Sequence, residues 1–323
     1  MARITAEQLI QQLQTTVQQL AEDQASIADL KIAAGALREM REGFKLFAPY
    51  RHIKKVSTFG SARVQEGDPV FRLAEEFARR IADHGFMVIT GAGGGIMEAC
   101  QRGAGRERSF GVNIRLPHEQ QANSIISGDP KLMSFRYFFT RKLFFLKEAD
   151  AVVLFPGGFG THDEAFETLT LLQTGKTRPV PLVFLDRPGG TYWTTWRRYV
   201  EDHMLRRGMI DRTDFCLFRV TDNVDEAIHE ILNFYTVYHS IRYVRELLAI
   251  RLQRPLPDAY VAELNEKFAD IVVRGRMEQR GPLPAEQDEP DLASLPRLVL
   301  QFDRLHYGRL RELIDAINAA PQS

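Results

Sequence analysis

The stretch AVVLFPGGFGTHDEAFETLTLLQ, Ala151 to Gln173, decides how the whole chain is read. Ala151 to Phe155 form a short apolar run bounded by a turn signal, the pattern of a buried strand. Gly157, Gly158 and Gly160 then crowd behind Pro156, and from Thr161 the apolar spacing becomes helical. Strand, glycine turn and helix follow one another with no linker.

The same alternation extends in both directions. VSTFG (Val56 to Gly60), FMVITG (Phe86 to Gly91), SFGVNIRL (Ser109 to Leu116) and VPLVFLD (Val180 to Asp186) are expected strands. Helical spacing is expected over Pro69 to His84, Ile96 to Arg102, around Phe135 to Lys147, and around Trp193 to Arg206. Strands alternating with helices give a parallel sheet covered on both faces, a Rossmann-like, doubly wound α/β fold. Ligands of such sheets bind beyond the strands' carboxyl ends. Gly60, Gly91 and the turn from Gly157 to Gly160 all fall there.

Residues 51–235 are therefore the expected α/β domain, between helical extensions over 1–50 and 236–323. In the first extension Leu9, Ile10, Leu13, Val17 and Leu20 have helical spacing, and Thr5 with Gln8 fits a capping box. Beyond about Val224, helices are expected over Asp225 to His239, Ile241 to Gln253, Tyr260 to Arg276 and Arg297 to Ala319, with a surface loop from Gly281 to Pro296.

Lys plus Arg and Asp plus Glu balance at 42 each in 323 residues, so no overall charge favours nucleic acid or a membrane surface, and an anion site must be local. Cys100 and Cys216 have no metal-ligand spacing and are expected as packing residues of a reduced compartment. No signal peptide or membrane-length apolar run is present in the sequence, so a cytoplasmic location is expected.

Two other glycine motifs fail on inspection. TGAGGGIME (Thr90 to Glu98) supplies Gly91 and Gly93 of a dinucleotide fingerprint, but its sixth position is Ile96 and no acid closes the next strand. TGKT (Thr174 to Thr177) lacks the earlier glycine of a phosphate loop, because Thr170 stands there; Gly175 is expected to end a helix. At Pro156 to Glu167 the glycines and the free N–H groups of the next helix can form a phosphate cradle. The alternative is a tight turn whose acids favour a helix N-terminus. Thr161 either caps that helix or offers its hydroxyl to a phosphate. Glu164 and Glu167 share a helix face, with Asp163 expected to point elsewhere. A carboxylate beside a phosphate cradle suits cleavage of a glycosidic bond, where positive charge develops on the sugar.

These motifs resemble those of the Lonely Guy family of nucleoside 5′-monophosphate phosphoribohydrolases, once labelled possible lysine decarboxylases. Pro156, Gly157, Gly158, Gly160, Thr161 and Glu164 meet its PGGxGTxxE motif, and Arg141 and Lys142 match its upstream Arg-Lys pair. TGAGGGIMEA is similar to the family's TGGGxGxMEA with Ala92 replacing a glycine, and FGSAR (Phe59 to Arg63) and GVNIRLPHEQ (Gly111 to Gln120) are similar as well. His162 departs from the leucine expected there.

The resemblance spans about Val56 to Tyr235. It implies Glu164 as the catalytic carboxylate with Arg141 as its partner, and Gly158, Gly160 and Thr161, with Gly157, around the 5′-phosphate. Gly60 and Ser61 would line the sugar or phosphate side; Gly93, Met97, Glu98, Asn113 and Lys142 would lie near base and ribose. It implies no metal or redox cofactor. It also implies a homodimer or dimer-based oligomer with the site near the interface, where FRYFFTRKLFFLK (Phe135 to Lys147) either meets the second copy or fills its own core. The expected activity is hydrolysis of purine or pyrimidine nucleotides, with a prenylated adenine nucleotide among the candidates. The alternative is a sensor that holds a nucleotide without turning it over. A pyridoxal phosphate decarboxylase would need a Schiff-base lysine, which no motif marks.

Overall fold

The computed structural model describes residues 4–116 and 121–321. Residues 117–120, the end of the GVNIRLPHEQ stretch, lie outside them. Two helices come first, α1 (Ala6–Glu22) and α2 (Ile27–Phe47). Thr5 and Gln8 close the expected capping box on α1. No α1 residue is buried, whereas α2 buries Ala36, Glu39, Gly43 and Phe47 against the domain that follows. Buried Glu39 accepts from the Arg136 backbone N–H (2.6 Å) and from the Thr140 hydroxyl.

Seven parallel strands form the main sheet: β1 (Lys55–Phe59), β2 (Met87–Thr90), β3 (Ser109–Ile114), β4 (Leu132–Phe135), β5 (Ala151–Leu154), β6 (Leu182–Leu185) and β7 (Arg219–Thr221). Their order is β4-β3-β2-β1-β5-β6-β7. Between them run α3 (Pro69–Asp83), α4 (Ile96–Ala104), α5 (Phe138–Lys147), α6 (Phe159–Gln173) and α7 (Tyr192–Val200), with α8 (Val224–Asn233) after β7. Successive strand residues supply opposite faces. Met87, Ile89, Val152 and Leu154 pack in one apolar cluster with Phe144 and Trp193, while Val88, Ala151 and Val153 pack in another with Phe77 and Ile228. The chain winds outward from β1 to β4, then returns to place β5 on β1's other side. That reversal opens a crevice between the carboxyl ends of β1 and β5.

The fold class is the expected one, with corrections. Strands β4 and β7 were not anticipated, and α5 begins only at Phe138. The larger correction is at the C-terminus, which is not an all-helical extension. Strands β8 (Tyr238–Val244), β9 (Leu247–Leu252), β10 (Glu278–Arg280) and β11 (Arg297–Leu300) form an antiparallel sheet in the order β10-β11-β9-β8, packed with α9 (Asp258–Lys267) and α10 (Tyr307–Asn318). Ile241, Tyr243, Leu248, Ile250 and Leu252 alternate onto this second core. The segment also satisfies helical spacing, so period alone misleads. Val244 pairs with Leu247 across a two-residue turn whose Arg245 has φ 55°, without the glycine or asparagine that ordinarily announces such a hairpin.

The acidic loop from Gly281 to Pro296 is anchored by charge. Fully buried Glu286 binds Arg251 (2.8 Å) and Arg297 (3.3 Å), and accepts the Leu283 N–H (2.9 Å). Removing this charge leaves two buried guanidiniums short of a partner. Glu286→Ala is therefore expected to destabilise the protein by roughly 3–5 kcal/mol, read from urea or thermal unfolding. A loss below about 1 kcal/mol would show that the loop does not depend on the cluster.

Candidate active site

The crevice is closed at its base by contact between two turns. After β1 the Ser61 N–H donates to the carbonyl of Pro156, which follows β5 (3.1 Å). Gly157 lies so close that a Cβ there would overlap the Thr161 hydroxyl and stand 2.9 Å from the Ser61 nitrogen. Helix α6 then starts at Phe159, with Gly158 at its N-cap and no side-chain cap. Thr161 is accordingly not the cap; it is the third helical residue. The Thr161 and His162 N–H groups bond the Gly158 carbonyl (3.0 and 3.2 Å), while the N–H groups of Phe159 and Gly160 have no acceptor among the described residues. Unbonded amides at a helix N-terminus suit an anion.

Helix α5 brings Arg141 and Lys142 to this end of α6. Lys142 Nζ lies 2.9 Å from Asp163 and 3.4 Å from Glu164, and also pairs with Glu167. Asp163 thus does not point away: it is four residues from Glu167, and both reach one lysine from one helix face. Burial works against the Lys142 charge, but its bonds to Glu167 and Asp163 and the pull of Glu164 hold its pKa above the usual value. Arg141 donates to the Val112 carbonyl (3.1 Å), and its guanidinium packs on the Phe145 ring. A Cβ on Gly91 would stand 2.7 Å from Met97 Sδ and 2.9 Å from Arg141 Nη2, so a side chain there would push both aside. Burial lowers the Arg141 pKa, with Glu164 pulling the other way. The close cation of Glu164 is Lys142 rather than Arg141.

Glu164 is itself buried, and Oε2 has no hydrogen-bond partner among the described residues. Burial pushes its pKa up to about 7, against the pull of Lys142, and neighbouring Glu167 adds to the rise. Such a carboxyl group exchanges its proton near neutrality, as general acid–base chemistry requires.

A cleft of about 770 Å³ joins these parts. Of the expected site residues it is lined by Gly60, Ser61, Met97, Arg141, Gly157, Gly158, Gly160, Thr161 and Glu164. Gly93, Glu98, Asn113 and Lys142 are not in its wall. Gly93 accepts from Asn123 through its carbonyl (2.8 Å), Glu98 pairs with Arg102 (3.5 Å), and the Asn113 side-chain Oδ1 accepts the Ile114 N–H (2.8 Å). Arg63, Phe138 and Tyr192 line the cleft without having been singled out. Arg63 was legible in FGSAR; Tyr192 comes from α7, beyond the next strand, and had no local signal.

Residues 95–231 match the family model described as "Possible lysine decarboxylase". Over 150 residues the chain is 28% identical to a probable cytokinin riboside 5′-monophosphate phosphoribohydrolase of Oryza sativa subsp. japonica. The first match lies within residues 56–235, the stretch whose motifs resemble those of the Lonely Guy family. The aligned part is 45% of the chain and spans 61% of the rice relative. Among solved structures, a molybdenum cofactor binding protein from Rippkaea orientalis overlaps 56% of this chain and 96% of its own at 15% identity, TM-score 0.40. A molybdenum cofactor carrier protein from Chlamydomonas reinhardtii overlaps 55% and 96% at 21% identity, TM-score 0.37.

The Glu164 environment has a stability signature. Below about pH 4.5 the group is protonated folded or unfolded; between 4.5 and about 7 only the folded chain keeps the proton. Stability therefore falls as pH rises through that window, by about 3 kcal/mol in all. Glu164→Gln, which mimics the protonated form, is expected to match the wild type near pH 4.5 and to exceed it by up to about 3 kcal/mol at pH 8. A difference that does not change with pH would mean that Glu164 does not titrate near neutrality.

Proposed function

We propose that this protein hydrolyses the N-glycosidic bond of a nucleoside 5′-monophosphate, releasing free base and ribose 5-phosphate. The observation that carries this reading is the buried, half-unpartnered Glu164 placed one helical turn from the glycine turn's open amides. The 5′-phosphate binds at Gly157 to Thr161, with Arg63 as a further cation in the cleft wall. That anchorage lays the ribose toward Glu164.

As the C1′–N bond breaks, its electron pair leaves with the base and positive charge develops on the sugar. Ionised Glu164 stabilises that charge and takes a proton from the attacking water, whose oxygen bonds C1′; that proton is then released to the departing base nitrogen, which leaves as neutral free base. Arg141 contributes a buried positive charge in the cleft wall for the leaving base or the phosphate. Lys142 pairs with Asp163 and Glu167, and its charge offsets the rise that neighbouring Glu167 gives the Glu164 pKa. Purine, pyrimidine and prenylated adenine nucleotides all fit this chemistry, which acts at the sugar. Simple nucleotide storage would not need a carboxyl group so deeply buried.

Incubation with AMP, GMP, CMP, UMP and a prenylated AMP, followed by chromatography for free base, tests the reading. Glu164→Gln is expected to lower kcat by about 10²–10⁴-fold while nucleotide still binds. Full activity in that variant would overturn the assignment.

The assembly we propose is a homodimer. Phe138, Phe139 and Leu143 of α5 are 54%, 56% and 41% exposed beside the cleft, and Ile10, Leu13 and Val17 of α1 are equally uncovered. Apolar surface of that extent favours a partner surface. Sedimentation equilibrium should give a dimer that Phe139→Asp converts to monomer; a wild-type monomer at micromolar concentration would refute it.

A further inference from the structure

Tyr192 and His162 form a feature that the proposed chemistry does not use. The Tyr192 hydroxyl hydrogen-bonds the Gly157 carbonyl, and His162 Nε2 lies 2.7 Å from the same hydroxyl. A carbonyl can only accept, so the single tyrosine proton goes to Gly157. The tyrosine oxygen is then the acceptor for His162, whose Nε2 must carry hydrogen. The direction of the chain is fixed: His162 N–H to Tyr192 O–H to Gly157 C=O.

Both ends are held from elsewhere. The Tyr192 N–H donates to Asp186 Oδ2 (2.9 Å) just beyond β6, and the His162 ring stands 5.6 Å from Trp193 and 6.4 Å from Phe166. Burial lowers the His162 pKa, so the ring is neutral at physiological pH and its tautomer matters.

The peptide between Gly157 and Gly158 has no side chain on either flank, so steric resistance to rotating it is minimal. In a trans peptide the carbonyl of one residue and the N–H of the next point in opposite directions. Holding the Gly157 oxygen therefore fixes where the Gly158 N–H points. A flipped peptide would exchange that donor for a carbonyl oxygen, which repels an anion.

We infer that Tyr192, backed by His162, is a positioning residue that locks the Gly157–Gly158 peptide in its phosphate-accepting orientation. This rests on the proposed reading of the glycine turn as the 5′-phosphate site.

Titration calorimetry with ribose 5-phosphate and with ribose tests it, on wild type, Tyr192→Phe, His162→Leu and His162→Gln. Tyr192→Phe is expected to weaken ribose 5-phosphate binding about 5–10-fold, the loss of one hydrogen bond, without changing the response to ribose. His162→Leu should weaken it about 3-fold, and His162→Gln, which keeps an N–H donor, should restore it. In turnover, KM for the monophosphate rises in parallel while kcat stays within about twofold. Thermal midpoints identify any variant that misfolds; the His162 pair then carries the test by itself. Equal affinity in wild type and Tyr192→Phe overturns the lock, and His162→Gln no better than His162→Leu overturns the relay. Failure of the wild type to bind ribose 5-phosphate overturns the phosphate reading, and the inference with it.

Discussion

Contact between the turns after β1 and β5 is the constraint on which the rest depends. The Ser61 N–H reaches the Pro156 carbonyl because Gly157 has no side chain to hold the two backbones apart. Once they touch, α6 must leave the sheet from Gly158, its first amides open to the crevice and its second turn carrying Glu164 inward. A side chain at Gly157 would separate the turns and displace both the anion-binding backbone and the carboxyl group.

Charge is arranged around that geometry with one cation for three carboxylates. Lys142 bonds Asp163 and Glu167 closely and Glu164 at longer range, which leaves Glu164 incompletely compensated and its proton available near neutrality. Arg141, the adjacent residue on α5, spends its directional bond on the Val112 carbonyl and presents the remainder of its guanidinium toward the cleft. Neighbouring basic residues thus serve different ends, one tuning an acid and the other holding charge in the wall.

The C-terminal unit shows where local pattern fails. Tyr238 to Leu252 satisfies helical and strand spacing together, and the turn at Arg245 and Glu246 lacks the residues that mark a hairpin. Pairing with β11, almost fifty residues downstream, settles it, since Arg251 and Arg297 must meet around Glu286. A window of fifteen residues contains none of that information.

The sequence by itself determined the parallel sheet, the crevice and the glycine turn, because strand-turn-helix punctuation and glycines at strand ends are local properties of the chain. It also brought Glu164 to notice through residue types at fixed spacing, and the Arg141-Lys142 pair through its resemblance to a family motif. Only the tertiary structure decided which cation meets which acid, that Glu98, Asn113 and Lys142 stand outside the cleft wall, and that Tyr192 grips Gly157. The reason is physical: burial, and with it the pKa of Glu164, depends on atoms from α5 and α6 packed together, and the grip on the turn comes from a helix one strand further along the sheet.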